Sequence, residues 1–222
     1  MRRLLVVLAL ALCSLPLQVH AQGSEPAIQV TGLVDHPYSI TLSELTALAN
    51  VTERAEVICV GWPPGGANSY PVYTYNWTGV TVASLLERAS PSDNASYVLF
   101  HDTAGDYSSG LPMEYALDPK IIIAVSADGR PLDDSTGYPF RLVVPGWYGY
   151  KWVKFVERIE VLDHANLGTW ESQGYSDIAI ISGAPGPQIS LSALGLPLGV
   201  IGVILFLVGV YMAGKPRPLS SP

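Results

Sequence analysis

Residues 138–161 read YPFRLVVPGWYGYKWVKFVERIEV, and this stretch decides the fold class. The apolar runs at residues 141–144 and 156–162 are typical of short strands. A Pro145-Gly146 turn and an aromatic segment separate them, so the chain cannot continue as one regular element. The stretch therefore favours a protein in which short strands alternate with irregular turns.

The rest of the chain repeats this pattern. Further strands are predicted at residues 27–32, 57–60, 97–100 and 121–125. Helical signals are fewer: Thr41 precedes Glu44 by three residues, as in a capped helix start, and Thr81 opens a second helix over residues 82–88. Asp128-Gly129 predicts a hairpin turn. Since strands outnumber helices without regular alternation, we expect an α+β fold with mixed sheets and short helices.

The charged residues are unevenly distributed. The chain has 12 basic and 19 acidic side chains, and without the terminal cations Arg2, Arg3, Lys215 and Arg217 eight basic ones remain, a formal charge of −11. This balance excludes nucleic acid as a partner. Four of the eight lie within 18 residues: Arg141, Lys151, Lys154 and Arg158. Either an anionic ligand such as a phosphate or a solvated strand face explains the cluster.

The N-terminus has the anatomy of a secretory signal. Arg2 and Arg3 precede an apolar run at residues 4–17, and Val19-His20-Ala21 suits cleavage before Gln22. An N-terminal membrane anchor is the alternative, but the apolar run is shorter than the roughly 20 residues that span a bilayer. We therefore expect a signal peptide at residues 1–21, compatible with either Sec or twin-arginine export.

The C-terminal region is apolar enough to cross a membrane. No charge occurs in residues 189–214, and Lys215 and Arg217 follow directly. Because basic flanks stay cytoplasmic, we expect a transmembrane helix at residues 189–214, a cytoplasmic tail at residues 215–222 and an extracytoplasmic domain at residues 22–188. A buried core helix is the alternative interpretation.

The predicted mature domain has one cysteine. Cys13 falls in the predicted signal, which leaves Cys59 as the single thiol and excludes a disulfide scaffold. From the residues alone, Cys59 is either a reactive or ligand-bound thiol or a buried, hydrophobe-like core residue. Three weaker candidates follow the strand at residues 97–100: His101 suits the pocket or the surface, Asp102 a cleft or a turn, and Tyr107 the pocket wall.

Five stretches of this chain, taken in order, resemble one known family. They are IQVTGLVDHPYSITLSEL (28–45), CVGW (59–62), WTGVTVASLL (77–86), YSSGLPMEYAL (107–117) and the opening stretch at 138–161. Their sequence and order are similar to the molybdopterin-binding domain of the sulfite oxidase family. The resemblance implies the mixed-sheet fold of that family and a bound molybdopterin, the molybdenum cofactor.

The resemblance also implies a set of site residues. Cys59 corresponds to the family cysteine whose thiolate binds molybdenum, which makes it the metal ligand and the catalytic residue. Gly149 and Tyr150 lie in the segment that passes close to the pterin, and Lys151 faces its phosphate. Lys154 and Arg141 correspond to family residues near the cofactor, with a structural salt bridge as the alternative for Arg141. Arg158 is expected to be structural.

The function expected from these features is that of a membrane-anchored, extracytoplasmic molybdenum oxidoreductase. It would act on a small-molecule substrate by two-electron or oxygen-atom transfer and pass electrons to a redox partner protein, because haem and flavin motifs are absent from the sequence. The alternative is a non-catalytic accessory or ligand-binding module of a membrane redox complex. Trp62-Pro63-Pro64 after Cys59 replaces the Ala-Gly-Asn and basic residues of sulfite-oxidising members, so the substrate stays open.

Overall fold

Two five-stranded sheets organise the part of the chain that the computed structural model describes, residues 24–60 and 70–181. The first sheet has the order β2-β1-β10-β5-β6. Its strands are β1 (Ala27–Gly32), β2 (Tyr38–Thr41), β5 (Tyr97–Asp102), β6 (Ser108–Pro112) and β10 (Val156–Leu162). The second sheet has the order β3-β4-β7-β8, and β9 also pairs with β7. Its strands are β3 (Val51–Cys59), β4 (Tyr70–Thr81), β7 (Ile122–Ala127), β8 (Arg130–Pro131) and β9 (Arg141–Val143).

The strand pairing makes the first sheet mixed. β1 and β10 are parallel, with Val30 opposite Ile159, whereas the other pairs in both sheets are antiparallel. Since β1 and β10 are the first and last strands of the described residues, their pairing joins segments that lie far apart in the sequence. The expected α+β class with mixed sheets is confirmed.

In the described part of the chain, three short α-helices connect the strands: α1 (Leu42–Leu48), α2 (Val82–Ala89) and α3 (Met113–Ala116). The predicted capping box is present at α1, where Glu44 N donates to Thr41 Oγ1 and Thr41 N donates to the Glu44 carboxylate. Thr81 caps α2 by accepting from Ser84 N. The predicted Asp128-Gly129 hairpin joins β7 and β8, and both residues have positive φ angles, of 48° and 73°.

The core contains an aromatic row that the sequence analysis did not identify. Tyr73, Tyr75 and Trp77 alternate along β4, and Trp77 is fully buried, with its indole N–H donating to Ala55 O. The ring of Trp77 meets that of Trp152 edge to face, with centroids 6.1 Å apart. Since Trp152 belongs to the turn before β10, this contact fixes the turn against the second sheet.

Both predicted terminal segments fall outside the described residues. The signal peptide at residues 1–21 and the span at residues 189–214 therefore stay predictions. Within residues 24–60 and 70–181, no helix combines the length and hydropathy that crossing a bilayer requires.

Candidate active site

A cavity of about 680 Å³ opens between the end of β3, the turn before β10 and the segment after β10. Its volume lies within the range typical of ligand and cofactor sites. Side chains from all three regions line it: Val57, Cys59, Val60, Val72, Tyr73, Asp102, Tyr107, Arg141, Gly149, Tyr150, Trp152, Lys154, Phe155, Trp170 and Tyr175. Five of the six residues that the sequence assigned to the site thus meet in one place.

Cys59 is the last residue of β3 and carries a half-buried, free thiol. The pairing of β3 with β4 shifts register between Val57 and Ile58, directly before the cysteine. Ile58 then makes a parallel bridge to Tyr148. The irregularity and the bridge together place the thiol in the cavity wall, next to the turn at Gly149–Lys151.

A glycine is required at position 149 because β3 passes close to its Cα atom. A Cβ atom at this position would lie 2.9 Å from Val57 Cγ1 and 3.2 Å from the carbonyl oxygen of Ile58. The sequence analysis attributed this glycine to close contact with a cofactor, but the room that a side chain would need is taken by the chain itself. Gly149 lines the cavity with its backbone.

Arg141 is a buried cation that lacks a carboxylate partner within 4 Å among the described residues. One guanidinium N–H donates to Thr136 O at 3.0 Å, and the buried Nε has no hydrogen-bond partner. The guanidinium carbon lies 5.1 Å from the Trp77 ring centroid and 5.5 Å from that of Tyr73. Burial lowers the pKa of Arg141, so an anion in the cavity would stabilise its charge.

Lys154 is the second cation facing the cavity. Its ammonium donates to Ser135 O at 2.7 Å, and an isolated bridge pairs its backbone with that of Arg141. Burial first, and then the positive charge of Arg141, lower the pKa of Lys154. Among the described residues, neither of these two neighbouring cations has a carboxylate partner within 4 Å, which makes this end of the cavity suited to an anionic group.

Asp133 organises the turn that holds both cations. Its Oδ1 accepts from Ser135 Oγ, Thr136 N and Thr136 Oγ1 at 2.6–2.9 Å. These hydrogen bonds lower the pKa of Asp133 to about 2. Because Ser135 O and Thr136 O are the acceptors for Lys154 and Arg141, the turn sets the position of the two charges.

Lys151 does not line the cavity with Arg141 and Lys154. Its ammonium is fully buried and donates to Glu171 Oε1 at 2.6 Å, Gly110 O at 2.7 Å and Asp177 Oδ1 at 2.9 Å. All three N–H donors are engaged, so the geometry does not present Lys151 to a phosphate in the cavity as the sequence analysis expected. We call Lys151, Glu171 and Asp177 the buried ion cluster.

Hydroxyl groups complete the buried ion cluster. Tyr97 donates to Asp177 Oδ1 at 2.6 Å, and Ser109 donates to Glu171 Oε1. Burial, and then the hydrogen bond to Asp177, raise the pKa of Tyr97 far above its ordinary value, so the hydroxyl keeps its proton and stays a donor. The cluster thus joins β5, β6, the turn at Gly149–Lys151 and the segment after β10.

The three weaker candidates separate in the structure. Tyr107 and Asp102 line the cavity, and the Tyr107 hydroxyl donates to Tyr150 O. His101 instead hydrogen-bonds Glu160 at 2.8 Å on the first sheet, where Arg158 also pairs with Glu160 at 3.8 Å. Arg158 is therefore in a structural position, as expected.

Two aromatic residues of the cavity wall, Trp170 and Tyr175, were not predicted from the sequence, whereas Tyr150 was. Tyr150, Tyr175 and Trp170 meet edge to face, with centroids 5.4 Å and 5.0 Å apart along the row. We call these three residues the aromatic wall. Trp170 and Tyr175 lie after β10 in the stretch GTWESQGYSD (168–177), which the sequence did not connect with the site.

Comparison with known proteins agrees with this geometry. A sequence model of the family described as "Oxidoreductase molybdopterin binding domain" matches residues 16–170. The chain is 30% identical over 149 residues to "Uncharacterized oxidoreductase YuiH" of Bacillus subtilis, covering 67% of this chain and 71% of that protein. It is 29% identical over 161 residues to the "Protein-methionine-sulfoxide reductase catalytic subunit MsrP" of Gluconobacter oxydans, covering 64% and 49%.

A further relative and a solved structure extend the comparison. A "Nitrate reductase [NADH]" of Volvox carteri is 31% identical over 169 residues, which cover 63% of this chain and 19% of that protein. The chain thus spans about half or less of two of these three relatives. Among solved structures, the sulfane dehydrogenase SoxCD of Paracoccus pantotrophus matches with a TM-score of 0.55 and 27% identity, covering 63% of this chain and 39% of that one. The fold implied by the sequence resemblance is confirmed.

Replacing Lys151 separates a structural role from a phosphate-binding role. Lys151→Met keeps most of the side-chain volume but leaves the buried Glu171 carboxylate and the partly buried Asp177 carboxylate without their cation, so we expect the free energy of unfolding to fall by about 3–5 kcal/mol in urea titrations. Arg158→Met, which breaks an exposed ion pair in the same basic run, should cost about 1 kcal/mol or less. Unchanged stability of the Lys151 variant would contradict the buried ion cluster.

The turn at Asp133 predicts a particular response to acid. The pKa of Asp133 is about 2 in the folded chain and about 3.9 in unfolded peptides, so its stabilising effect is complete above pH 4 and is lost as the pH falls towards 2. Asp133→Asn should flatten the stability profile in this window, measured by urea unfolding at stepped pH. Asp134→Asn, at the exposed neighbour, is the matched control and should leave the slope in place.

Proposed function

The chain belongs to the oxidoreductase molybdopterin-binding domain family, which is of sulfite oxidase type, and on this basis we propose that it catalyses two-electron or oxygen-atom transfer on a small substrate. When bound, the cofactor of this family supplies a metal that exchanges an electron pair or an oxygen atom with the substrate. The protein supplies binding, orientation and the electrostatic surroundings.

One observation carries the proposal: a free thiol and two cations, which have no carboxylate partner within 4 Å among residues 24–60 and 70–181, line the same cavity. A thiolate is a ligand suited to soft metal centres, and an Arg and a Lys are the usual partners of a phosphate. The residues present therefore fit a molybdopterin. In this assignment Cys59 holds the metal, and Arg141 and Lys154 hold the anionic end of the cofactor.

The remaining wall shields and orients the bound group. Trp152 and Tyr150 are nearly buried, and Tyr73 packs against the Arg141 guanidinium, so these rings keep water from the charged end of the cavity. Burial, and then the negative charge of Glu171, raise the pKa of Tyr107, which keeps the phenolic proton in place. The Tyr107 hydroxyl can therefore go on donating to Tyr150 O and hold the turn at Gly149–Lys151 in position.

We further propose that electrons pass to or from a separate redox protein. The Gluconobacter relative is named a catalytic subunit, a term that belongs to a protein with at least one other subunit. The described chain has no second domain that would carry another redox group within residues 24–60 and 70–181. A separate partner therefore accounts best for the electron balance of a two-electron reaction.

The proposed cofactor predicts opposite effects for two substitutions. Cys59→Ser replaces a soft sulfur ligand with a hard hydroxyl, so molybdenum binding and metal-to-sulfur absorption should weaken while pterin content is kept. Lys154→Gln removes a charge-assisted contact of about 1.5–3 kcal/mol, so pterin occupancy should fall about tenfold to a hundredfold. Metal analysis, pterin assay and visible spectra of protein from a cofactor-producing host measure these effects.

A matched control and a decisive negative result accompany this test. Arg158→Gln removes a cation of the same basic run that lies on the first sheet, and it should leave both molybdenum and pterin content unchanged. Wild-type protein free of molybdenum and pterin from such a host would favour the accessory or ligand-binding module instead.

We also propose that the domain is exported and held at the membrane by residues 189–214. The apolar runs at residues 4–17 and 189–214 and the basic flank at Lys215 and Arg217 support this topology. Protease added to intact cells should degrade the domain and spare an epitope placed after residue 222. Protection of the domain from external protease would refute the topology.

A further inference from the structure

The cavity changes character from its inner end to its mouth. Arg141, at the inner end, is 2% exposed, whereas Val72 and Trp170 are 49% and 37% exposed. Both exposed residues line the same cavity. The two exposed large side chains that line the cavity, among the described residues, are therefore apolar.

The charges available to a substrate are few. Among the described residues lining the cavity, the formally charged ones are Arg141, Lys154 and Asp102. Under the proposed function the two cations contact the cofactor, which leaves the Asp102 carboxylate. The segment after Cys59 and Val60, GWPPGGANS at residues 61–69, has no ionisable side chain, so it cannot supply a further cation wherever it lies.

The aromatic wall is held rigidly although its outermost ring is exposed. Trp170 and Tyr175 are flanked in the chain by Glu171 and Asp177, the two carboxylates of the buried ion cluster. Tyr150 directly precedes Lys151, the cation of that cluster, and its hydroxyl donates to Ser176 O at 2.6 Å. An aromatic surface fixed in this way is pre-organised to pack against an apolar group.

We propose that the substrate of this site is an uncharged organic molecule that presents an apolar group to Val72, Trp170 and Tyr175, and is not a small inorganic oxyanion. This inference rests on the proposed function, because it assigns Arg141 and Lys154 to the cofactor. An oxyanion would meet an apolar mouth and a carboxylate with no cation left to pair with it, whereas an apolar group gains from burial.

An uncharged and an anionic probe for each reaction direction test whether the site prefers uncharged substrates. Methyl phenyl sulfoxide takes two electrons and two protons to give the sulfide and water, and nitrate takes the same to give nitrite and water, with reduced viologen dye as the electron donor. In the other direction, methyl phenyl sulfide and sulfite each take an oxygen atom from water, release two protons to the solvent and give one electron to each of two ferricyanide ions. Turnover of each probe and its calorimetric binding to the cofactor-loaded full chain are measured.

The proposal predicts that the site prefers the uncharged probe in both reaction directions. The uncharged probes should bind at least about tenfold more tightly than nitrate and sulfite, and any turnover should follow the same order. Tighter binding or faster turnover of nitrate or sulfite would overturn the proposal, as would a loaded protein that binds none of the four. Protein that contains neither molybdenum nor pterin would be a failure of the proposed function itself and is recognised before any probe is added.

Variants at the mouth identify the specificity-determining residue. Trp170→Ala should weaken binding of the aryl probes about tenfold and leave the anions unaffected, because only the apolar contact is lost. Leu48→Ala is the matched control, since Leu48 is 51% exposed on α1 and lies outside the cavity lining. Val72→Lys should raise the affinity for nitrate and sulfite by supplying the missing cation. Equal effects of Trp170→Ala and Leu48→Ala would refute the assignment.

Discussion

The buried ammonium of Lys151 is the interaction on which the arrangement of the site depends. A charge taken out of water is costly unless partners surround it, and here two carboxylates and a carbonyl oxygen take all three of its donors. These partners come from β6 and from the segment after β10, while Lys151 itself belongs to the turn beside Cys59. Because these regions meet at one nitrogen atom, the turn and the aromatic wall cannot shift independently of each other.

The four cations of residues 141–158 occupy three different environments, although the sequence does not distinguish them. Lys151 forms its ion pairs within the buried ion cluster, and Arg158 is paired with Glu160 on the first sheet. Arg141 and Lys154 are held by backbone carbonyls of the turn that Asp133 organises, so their charges stay available to the cavity. An anion-binding site thus depends on which cations lack carboxylate partners, and this follows from tertiary contacts instead of composition.

This division marks how far the sequence could predict the structure. Local patterns were sufficient for the strands at residues 27–32 and 156–162, for the cap at Thr41 and for the hairpin at Asp128, since neighbouring residues determine these features. The role of Lys151 was not accessible, because Glu171 and Asp177 lie 20 and 26 residues further along the chain. β4 was overlooked because its alternating Tyr73, Tyr75 and Trp77 stand among polar residues and a proline. Trp170 lies in a stretch that had no predicted role in the site, and the fold places it in the wall of the same cavity as Cys59.

The acidic surroundings of the cavity add a long-range argument about the substrate. Residues between the two terminal basic pairs carry a formal charge of −11, and such a field lowers the local concentration of anions around the domain. Salt screens this field over about 8 Å at physiological ionic strength, so a site for an oxyanion would need cations at its own mouth. Val72 and Trp170 stand there instead. The field does not change the local concentration of an uncharged molecule. Such a molecule also gains about 25 cal/mol of binding free energy for each Å² of apolar surface that it buries against the aromatic wall. The net negative charge of the domain and the apolar side chains at the cavity mouth therefore both favour an uncharged substrate.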